Sequence, residues 1–309
     1  MAYNLKEQMS KPERFEAGHR LCAGCGAGIT CRAMMRAVDP GDKAVICNAT
    51  SCLEVSSFQY PYTAWHDSYI HSAFENTSAT AAGVEAAYKV MKRKGKVTEN
   101  YKVLAIGGDG GTYDIGFQSL SGALERGHDY TYFCYDNEAY MNTGTQRSSA
   151  TPRFASATTT PAGTESVGKK QNQKDLTQIV VAHGSPYVAQ TTFMGNFKDF
   201  HEKAHKAIYT EGPTFVNVLC PCPRGWQYSA ELLPEICRLA VDTCVWPLYE
   251  VENGEYHLTY MPKKKLPVSE FMKMQGRFRH CFAPGNEWTL EAAQQYVDEK
   301  WEALLAKCK

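Results

Sequence analysis

The sequence predicts an α/β fold in which helices cover both faces of a doubly wound, mostly parallel β-sheet. Short apolar runs alternate with helical patterns through most of the chain, and a parallel sheet with crossover helices is the usual result of such alternation. One apolar run also ends in a glycine-rich turn, the kind of position at which parallel sheets bind ligands. With 309 residues, the chain has room for one large domain or two small ones.

The predicted elements follow one another in regular order. Short apolar runs predict strands at residues 43–48, 102–107, 129–135, 186–192 and 213–219. Helical patterns predict helices at residues 76–93, 115–126, 174–183, 196–209 and 289–306. Helix 76–93 has a basic carboxyl end, and Gly127 is expected to close helix 115–126. Asn253-Gly254 is expected to form a hairpin turn.

These elements suggest two parts of unequal character. Residues 1–225 are expected to form the α/β domain, with a cysteine-bearing loop near its start. Residues 226–309 are expected to form an irregular C-terminal extension that packs on the same domain and on partner subunits. No internal repeat is present.

Composition and charge restrict the possible classes of protein. Lys and Arg number 33, as do Asp and Glu, so a nucleic-acid protein that relies on bulk positive charge is disfavoured. The chain lacks an apolar run of about 18 residues, so we expect no membrane span. The first residues lack the apolar core of a signal peptide, so we expect a cytoplasmic protein. Its 12 cysteines should then be reduced, which favours a metal or cluster site over disulfides.

A long Ser/Thr-rich segment interrupts the alternation. Between Thr143 and Ser166, eleven of 24 residues are Ser or Thr. A connection of this length inside a compact domain is either disordered or functional. Because it comes shortly after the motif described next, we expect an ordered loop at the active site.

Two neighbouring strands are predicted to end in polar motifs. Strand 102–107 runs into Gly107-Gly108-Asp109-Gly110-Gly111-Thr112, where glycines would let backbone N–H groups approach an anion. The next strand is followed by Asn137, 28 residues after Asp109. Both side chains would then lie at the ends of adjacent strands, where their oxygens could share one Mg²⁺.

A Gly-Asp-Gly followed by an Asn at this distance resembles the signature of thiamine diphosphate-dependent enzymes. The wider sequence is similar to the β subunit of 2-oxoacid:ferredoxin oxidoreductases, particularly the pyruvate type, over roughly residues 15 to 230. The similarity lies in several motifs that occur in order: GHRLCAGCGAG, NATSCLEV, GDGGTYDIGFQSLSGALERGH, DNEAYMNTGTQRSSATP and CPCPRGW.

This resemblance implies a cofactor site. Mg²⁺ would be held by the Asp109 carboxylate, the Asn137 side chain and the Ala139 backbone carbonyl. Asn142 and Thr143 would lie near the diphosphate and the reacting carbon, with Asn142 as the catalytic residue. The remaining cofactor-binding positions would be Gly108, Gly110, Gly111 and Thr112.

The cysteines offer a second site. Cys22-Ala23-Gly24-Cys25 can direct two thiolates at one metal, and by itself it fits zinc, a redox dithiol or iron–sulfur. Cys31 lies in a helical pattern and is expected to pack in the core. The resemblance implies that a [4Fe–4S] cluster is bound by Cys22, Cys25, Cys52 and Cys222, which leaves Cys220 as a spare. The family usually has Gly before the third ligand, where this chain has Ser51.

The resemblance implies a reaction as well. The chain would be a catalytic subunit that oxidatively decarboxylates a 2-oxoacid, with pyruvate converted to acetyl-CoA as the first hypothesis. Oxalate is a second hypothesis, because the segment around Trp65 (AWHDSYIHSAFENTS) is polar for a methyl-ketone pocket. Hypotheses from other classes are a non-redox thiamine decarboxylase or carboligase with a structural zinc, and a non-catalytic scaffold subunit.

Partners follow from what the chain lacks. Thiamine enzymes use a second domain that holds the aminopyrimidine, and no ferredoxin-like cysteine run is present here. The resemblance therefore implies other subunits that carry these parts, with ferredoxin as electron acceptor and coenzyme A as a possible co-substrate. Neither nucleic acid nor a membrane is an expected partner.

Overall fold

The computed structural model describes residues 4–193 and 195–308, and an eight-stranded sheet is its main feature. A separate ribbon consists of β2 (Phe58–Gln59) and β3 (Tyr62–Thr63). The strands of the main sheet are β1 (Lys43–Ala49), β4 (Ser68–Ser72), β5 (Tyr101–Gly108), β6 (Thr131–Asp136), β7 (Tyr187–Thr191), β8 (Thr214–Leu219), β9 (Tyr249–Glu252) and β10 (Glu255–Leu258).

Helices connect and cover these strands. They are α1 (Leu5–Ser10), α2 (Gly26–Met35), α3 (Cys52–Ser57), α4 (Thr77–Arg93), α5 (Phe117–Glu125), α6 (Leu176–Val181), α7 (Phe197–Tyr209), α8 (Leu233–Asp242), α9 (Val268–Lys273) and α10 (Glu287–Lys307). Residues Gly110–Ile115 form a π-helix, and residues Ala230–Leu232 and Gly276–Phe282 form 3₁₀ helices. Within the described residues, none of the helices is long and apolar enough to cross a bilayer.

The sheet has the predicted doubly wound form. Its strand order is β4-β1-β5-β6-β8-β7-β9-β10, and pairing is parallel from β4 to β7. Successive residues of the parallel strands point into two different cores. Leu104 and Phe133 lie in one, which α2, α7 and α8 cover, while Ala105 and Cys134 lie in the other, which α4, α5 and α10 cover. Buried Cys31 lies in the first core, as expected.

The C-terminal segment is more regular than predicted. Strand β9 pairs antiparallel with β7, and β10 pairs antiparallel with β9, so this segment extends the main sheet. Asn253 and Gly254 have φ values of 50° and 88°, which confirms the hairpin turn between them. The 21-residue helix α10 follows. The division of the chain at residue 225 stays a prediction.

Three local features differ from the sequence-based expectation. The helix predicted at residues 115–126 is present as α5, but the glycine-rich turn before it coils into an unpredicted π-helix over Gly110–Ile115. Strand β4 was not predicted, since its residues are polar and three of its five side chains are exposed at the sheet edge. Cys52, expected in a turn, is the first residue of helix α3.

Candidate cofactor and cysteine sites

The carboxyl ends of four adjacent strands bring the sequence motifs together. In the parallel registers, Gly108 of β5 lies beside Tyr135 of β6, and Asp136 of β6 lies beside Leu219 of β8. Asp109, Asn137 and Cys220 therefore leave the sheet at one edge. Thr50 follows β1 at the same edge. Parallel pairing thus assembles residues that are up to 170 positions apart in sequence, from Thr50 to Cys220.

Asp109 is buried at the centre of this edge, with 1% of its surface exposed. Its Oδ1 accepts a hydrogen bond from the Asn137 backbone N–H at 3.4 Å, and its Oδ2 accepts one from the Ser148 hydroxyl at 2.5 Å. Burial raises the pKa of Asp109 to about 7, although both hydrogen bonds act to lower it. A nearby cation would favour the ionised carboxylate. Ser148 belongs to the Ser/Thr-rich segment, so that segment contributes directly to the site.

The Asn137 side chain and the Ala139 carbonyl oxygen converge on Asp109. With its amide nitrogen turned towards them, Asn137 donates to Asp109 Oδ1 and to the Ala139 carbonyl oxygen, both at 2.9 Å. With the amide turned the other way, three oxygens face one another, an arrangement that a cation between them would stabilise. Carboxylate, amide and carbonyl oxygens are the donors that Mg²⁺ takes. The residues at this position therefore fit the predicted metal.

The glycine-rich turn leaves no space for a side chain at Gly110. A Cβ atom on Gly110 would lie 2.4 Å from the Tyr140 ring, and the Tyr140 hydroxyl donates to the Gly110 carbonyl at 3.0 Å. Gly108 and Gly111 line a cleft that also contains Asp109. Thr112 is fully buried, and its hydroxyl donates to the Gly108 carbonyl at 2.7 Å. The Thr112 hydroxyl is therefore used within the turn, and only the Thr112 backbone could contact a cofactor.

The turn after β6 is held from several sides. Glu138 has a φ of 63°, a left-handed conformation that is costly for a non-glycine residue. Its carbonyl accepts the Thr151 hydroxyl at 2.6 Å, and its N–H donates to Asp136 Oδ1 at 2.9 Å. The Trp226 indole N–H donates to the Asn137 carbonyl at 2.8 Å. These contacts fix the backbone that presents Asn137 and Ala139.

A cleft of about 310 Å³ connects this turn to a cysteine. Asn142 and Thr143 are exposed at its wall, and the Thr143 hydroxyl donates to Gln146 Oε1 at 2.6 Å. Cys52 lines the same cleft, and its thiol is close enough to Asp109 for the carboxylate charge to act on it. The structure therefore brings the two predicted sites together.

The four predicted cysteines lie near one another. Burial, with smaller contributions from negative charge on Cys222 and Cys22, raises the pKa of Cys25 to about 11 and that of Cys52 to about 12. The Cys222 sulfur accepts the Gly225 N–H at 3.4 Å. Buried thiols that raise one another's pKa need a cationic centre to be held as thiolates. Among the described residues, no three His, Cys, Asp or Glu side chains converge as they would on a single metal ion.

Cys220 has a different environment. It is 1% exposed, and its sulfur lies 3.1 Å from the Thr30 hydroxyl. The loops of the two cysteine motifs pack closely here, because a Cβ on Gly26 would lie 2.9 Å from the backbone of Cys220. Cys220 therefore belongs to the packing between these loops, and its place outside the ligand set stays a prediction.

The polar segment around Trp65 does not surround the cleft. Trp65 is 5% exposed and donates its indole N–H to the Ser57 hydroxyl at 2.9 Å. His66 pairs with Glu16 at the surface. From this segment the apolar Phe74 lines the cleft, and His71 approaches it through a 2.8 Å contact with the Thr50 hydroxyl. The polarity of this segment is therefore no evidence for a dianionic substrate.

Sequence reasoning missed several residues that support the site. No repeated sequence pattern marked Ser148, Glu138 or Trp226 as site residues. Ser148 does lie in the loop that was expected at the active site. A further omission is Arg277, whose guanidinium forms an ion pair with Glu138 although 139 residues separate them. No local pattern signals such a pair.

The chain matches a family model described as the C-terminal TPP-binding domain of thiamine pyrophosphate enzymes, over residues 44–218. It is 52% identical over 299 residues to the pyruvate synthase subunit PorB of Methanocaldococcus jannaschii, covering 96% of this chain and 98% of that protein. Its identity to the Thermotoga maritima protein of the same name is 49% over 313 residues, covering 99% of this chain and 96% of the relative.

Among solved structures, the chain is similar to a 2-oxoglutarate:ferredoxin oxidoreductase from Magnetococcus marinus. The TM-score is 0.56 with 22% sequence identity, and the match covers 77% of this chain and 81% of that chain. At this identity the likeness shows the fold alone.

Proposed function

Since this chain belongs to the family of β subunits of thiamine diphosphate-dependent 2-oxoacid:ferredoxin oxidoreductases, we propose that its site acts in the oxidative decarboxylation of pyruvate. It would act in the cytoplasm within a complex of several subunits, with coenzyme A as co-substrate and ferredoxin as electron acceptor. The observation that carries the proposal is the convergence of the Asp109, Asn137 and Ala139 oxygens in a cleft that Cys52 also lines.

Some of these residues would bind thiamine diphosphate with its Mg²⁺, and the others would bind the iron–sulfur cluster. Asp109, Asn137 and the Ala139 carbonyl would hold Mg²⁺, while the backbone from Gly108 to Thr112 would cradle the diphosphate. Asn142 and Thr143, exposed at the cleft wall, would face the reacting end of the cofactor. The cluster ligands would be Cys22, Cys25, Cys52 and Cys222.

The chain's own residues bind and orient. When bound, thiamine diphosphate supplies the electron sink that a 2-oxoacid lacks for the loss of CO₂, and the cluster supplies a one-electron acceptor. Ser148 and the Asn137 N–H hold the Asp109 carboxylate in one orientation. Trp226 and Thr151 fix the turn that carries the other two metal-binding oxygens. Such fixed geometry is the main contribution that a protein makes to cofactor chemistry.

The experiment has a spectroscopic and a kinetic part. The complex, purified without oxygen, should absorb broadly at about 400 nm and contain four iron atoms per cluster, because iron–sulfur absorbs there and zinc does not. Pyruvate, oxalate, 2-oxoisovalerate and 2-oxoglutarate are then compared by kcat/KM, with and without coenzyme A.

The outcomes separate the possible functions. A preference for pyruvate that depends on coenzyme A supports the proposal. A preference for oxalate without coenzyme A would show that pyruvate is the wrong substrate, and the membership of the family would stand. A colourless zinc protein that decarboxylates without reducing an electron acceptor would overturn the redox function.

A further inference from the structure

Arg277 is a buried cation that contacts the turn after β6. It is 2% exposed, and its guanidinium is paired with the Glu138 carboxylate, which is 1% exposed. Its Nε donates to Gln275 Oε1 at 2.9 Å. A buried ion pair is a poor source of stability, because the loss of hydration offsets most of the attraction. Breaking such a pair is nevertheless costly, so Arg277 holds Glu138 firmly in place.

The ion pair between Glu138 and Arg277 lies directly beside the candidate metal site. Glu138 stands between Asn137 and Ala139, both of which contribute oxygens to the metal site. Its left-handed backbone turns those two residues towards Asp109. A side chain anchored by Arg277 keeps the backbone in this conformation against its intrinsic cost.

Arg277 also reaches the cysteine side. Its guanidinium lies 3.9 Å from the centre of the Trp226 ring, in cation–π contact. The Trp226 backbone N–H donates to the Cys222 carbonyl at 3.0 Å, and the Arg277 backbone N–H donates to the Trp226 carbonyl at 3.5 Å. The Arg277 guanidinium is therefore joined to the loop of Cys222 through Trp226, which places a buried positive charge beside a candidate cluster ligand.

We propose that Arg277 is a positioning residue shared by both sites: it holds the metal-binding turn through Glu138, and its charge stabilises the reduced cluster. This inference rests on the proposed function. The reduction potential of an iron–sulfur cluster depends on nearby charge, so a cation close to a ligand should make the cluster easier to reduce.

The two roles are tested by two variants of the assembled complex. Arg277→Lys keeps the charge but loses the forked contact and the stacking on Trp226. It should raise the Kd for thiamine diphosphate with Mg²⁺ at least tenfold and leave the cluster potential unchanged. Arg277→Met combined with Glu138→Gln removes the pair without leaving an unpaired buried charge, and it should lower the potential. Calorimetry and a redox titration followed by electron paramagnetic resonance measure the two effects.

Arg279→Met provides the matched control, because Arg279 lies in the same 3₁₀ segment and is exposed. It should change neither quantity. If the double variant does not assemble, Arg277→Gln with Glu138→Gln takes its place. A cofactor Kd within twofold of wild type in Arg277→Lys, or an unchanged potential in the double variant, would overturn the shared role. A wild-type complex that binds neither cofactor nor cluster would instead overturn the proposed function.

Discussion

Trp226 donates its indole N–H to the backbone carbonyl of Asn137 over 2.8 Å. Trp226 lies four residues after Cys222, and Asn137 supplies a side-chain oxygen to the candidate metal site. A single hydrogen bond thus joins the loop of one predicted site to the turn of the other. Displacement of either loop would move both sites, so cluster and cofactor are expected to depend on each other's geometry.

Cys52 and Cys220 should respond differently to the same substitution. Cys52→Ser removes a proposed cluster ligand and should abolish iron binding and brown colour. Cys220→Ser should retain both, because Cys220 is buried against Thr30 outside the candidate ligand set. Iron analysis and the absorption at about 400 nm measure the result. Equal iron contents in the two variants would contradict the assignment.

Asp109→Asn should weaken the binding of Mg²⁺ and of thiamine diphosphate together, by at least tenfold. The substitution removes the anionic ligand that neutralises the metal beside the diphosphate. Calorimetry on the assembled complex gives both affinities. Asp298→Asn is the control, because Asp298 pairs with Lys265 at the surface. Unchanged affinities in Asp109→Asn would place the metal elsewhere.

Gly110→Ala should destabilise the glycine-rich turn. The added methyl group would lie 2.4 Å from the Tyr140 ring, and relief of such overpacking costs about 1–3 kcal/mol. We expect a lower Tm and weaker cofactor binding. Gly83→Ala is the matched control, because its Cβ meets nothing within 4 Å in helix α4, where Ala is the better helix former. A Tm that falls equally in both variants would argue against a specific clash.

Acid should remove the stabilising contribution of Glu85. Burial alone would raise the pKa of Glu85, but hydrogen bonds from Lys89, His128 and the Asp129 N–H bring it below its usual value. The contribution is therefore complete above the unfolded-state pKa of about 4.3 and is lost as the pH falls through the folded-state pKa. The Tm difference between wild type and Glu85→Gln should stay constant from pH 7 to about pH 5 and shrink as the pH falls from there to about pH 3. A difference that is still constant at about pH 3 would contradict the expectation.

The isolated chain is expected to be catalytically silent. It contains a diphosphate-type site, and its β2–β3 ribbon exposes two large aromatic side chains, with Tyr60 90% and Tyr62 79% exposed. We expect a partner subunit to cover this surface and to supply the aminopyrimidine contacts. Assay of the iron-loaded chain with pyruvate, thiamine diphosphate, Mg²⁺, coenzyme A and an artificial acceptor tests this. Sustained turnover by a verified monomer would refute it.

The strands and the contacts of the site were predictable from the sequence only in part. Buried strands such as β5 and β6 were predictable because apolar runs mark them, and the motifs at their ends followed from parallel geometry. Edge strand β4 was missed because its polar residues face solvent. The π-helix after Asp109 was missed because glycines indicate a turn rather than a helix. The Glu138–Arg277 pair joins distant segments, and no periodic pattern encodes a contact of that kind.

The distance along the chain between Glu138 and Arg277 affects how the protein is made. A ribosome adding about 5–20 residues per second needs roughly 7 to 28 s to synthesise the 139 residues that separate them. During that interval the carboxylate has emerged but its cation has not, so the metal-binding turn lacks its anchor. On the proposed roles, loading with Mg²⁺ and cofactor would await nearly complete translation, and a nascent chain that stalls before residue 277 would carry every proposed ligand without a finished site.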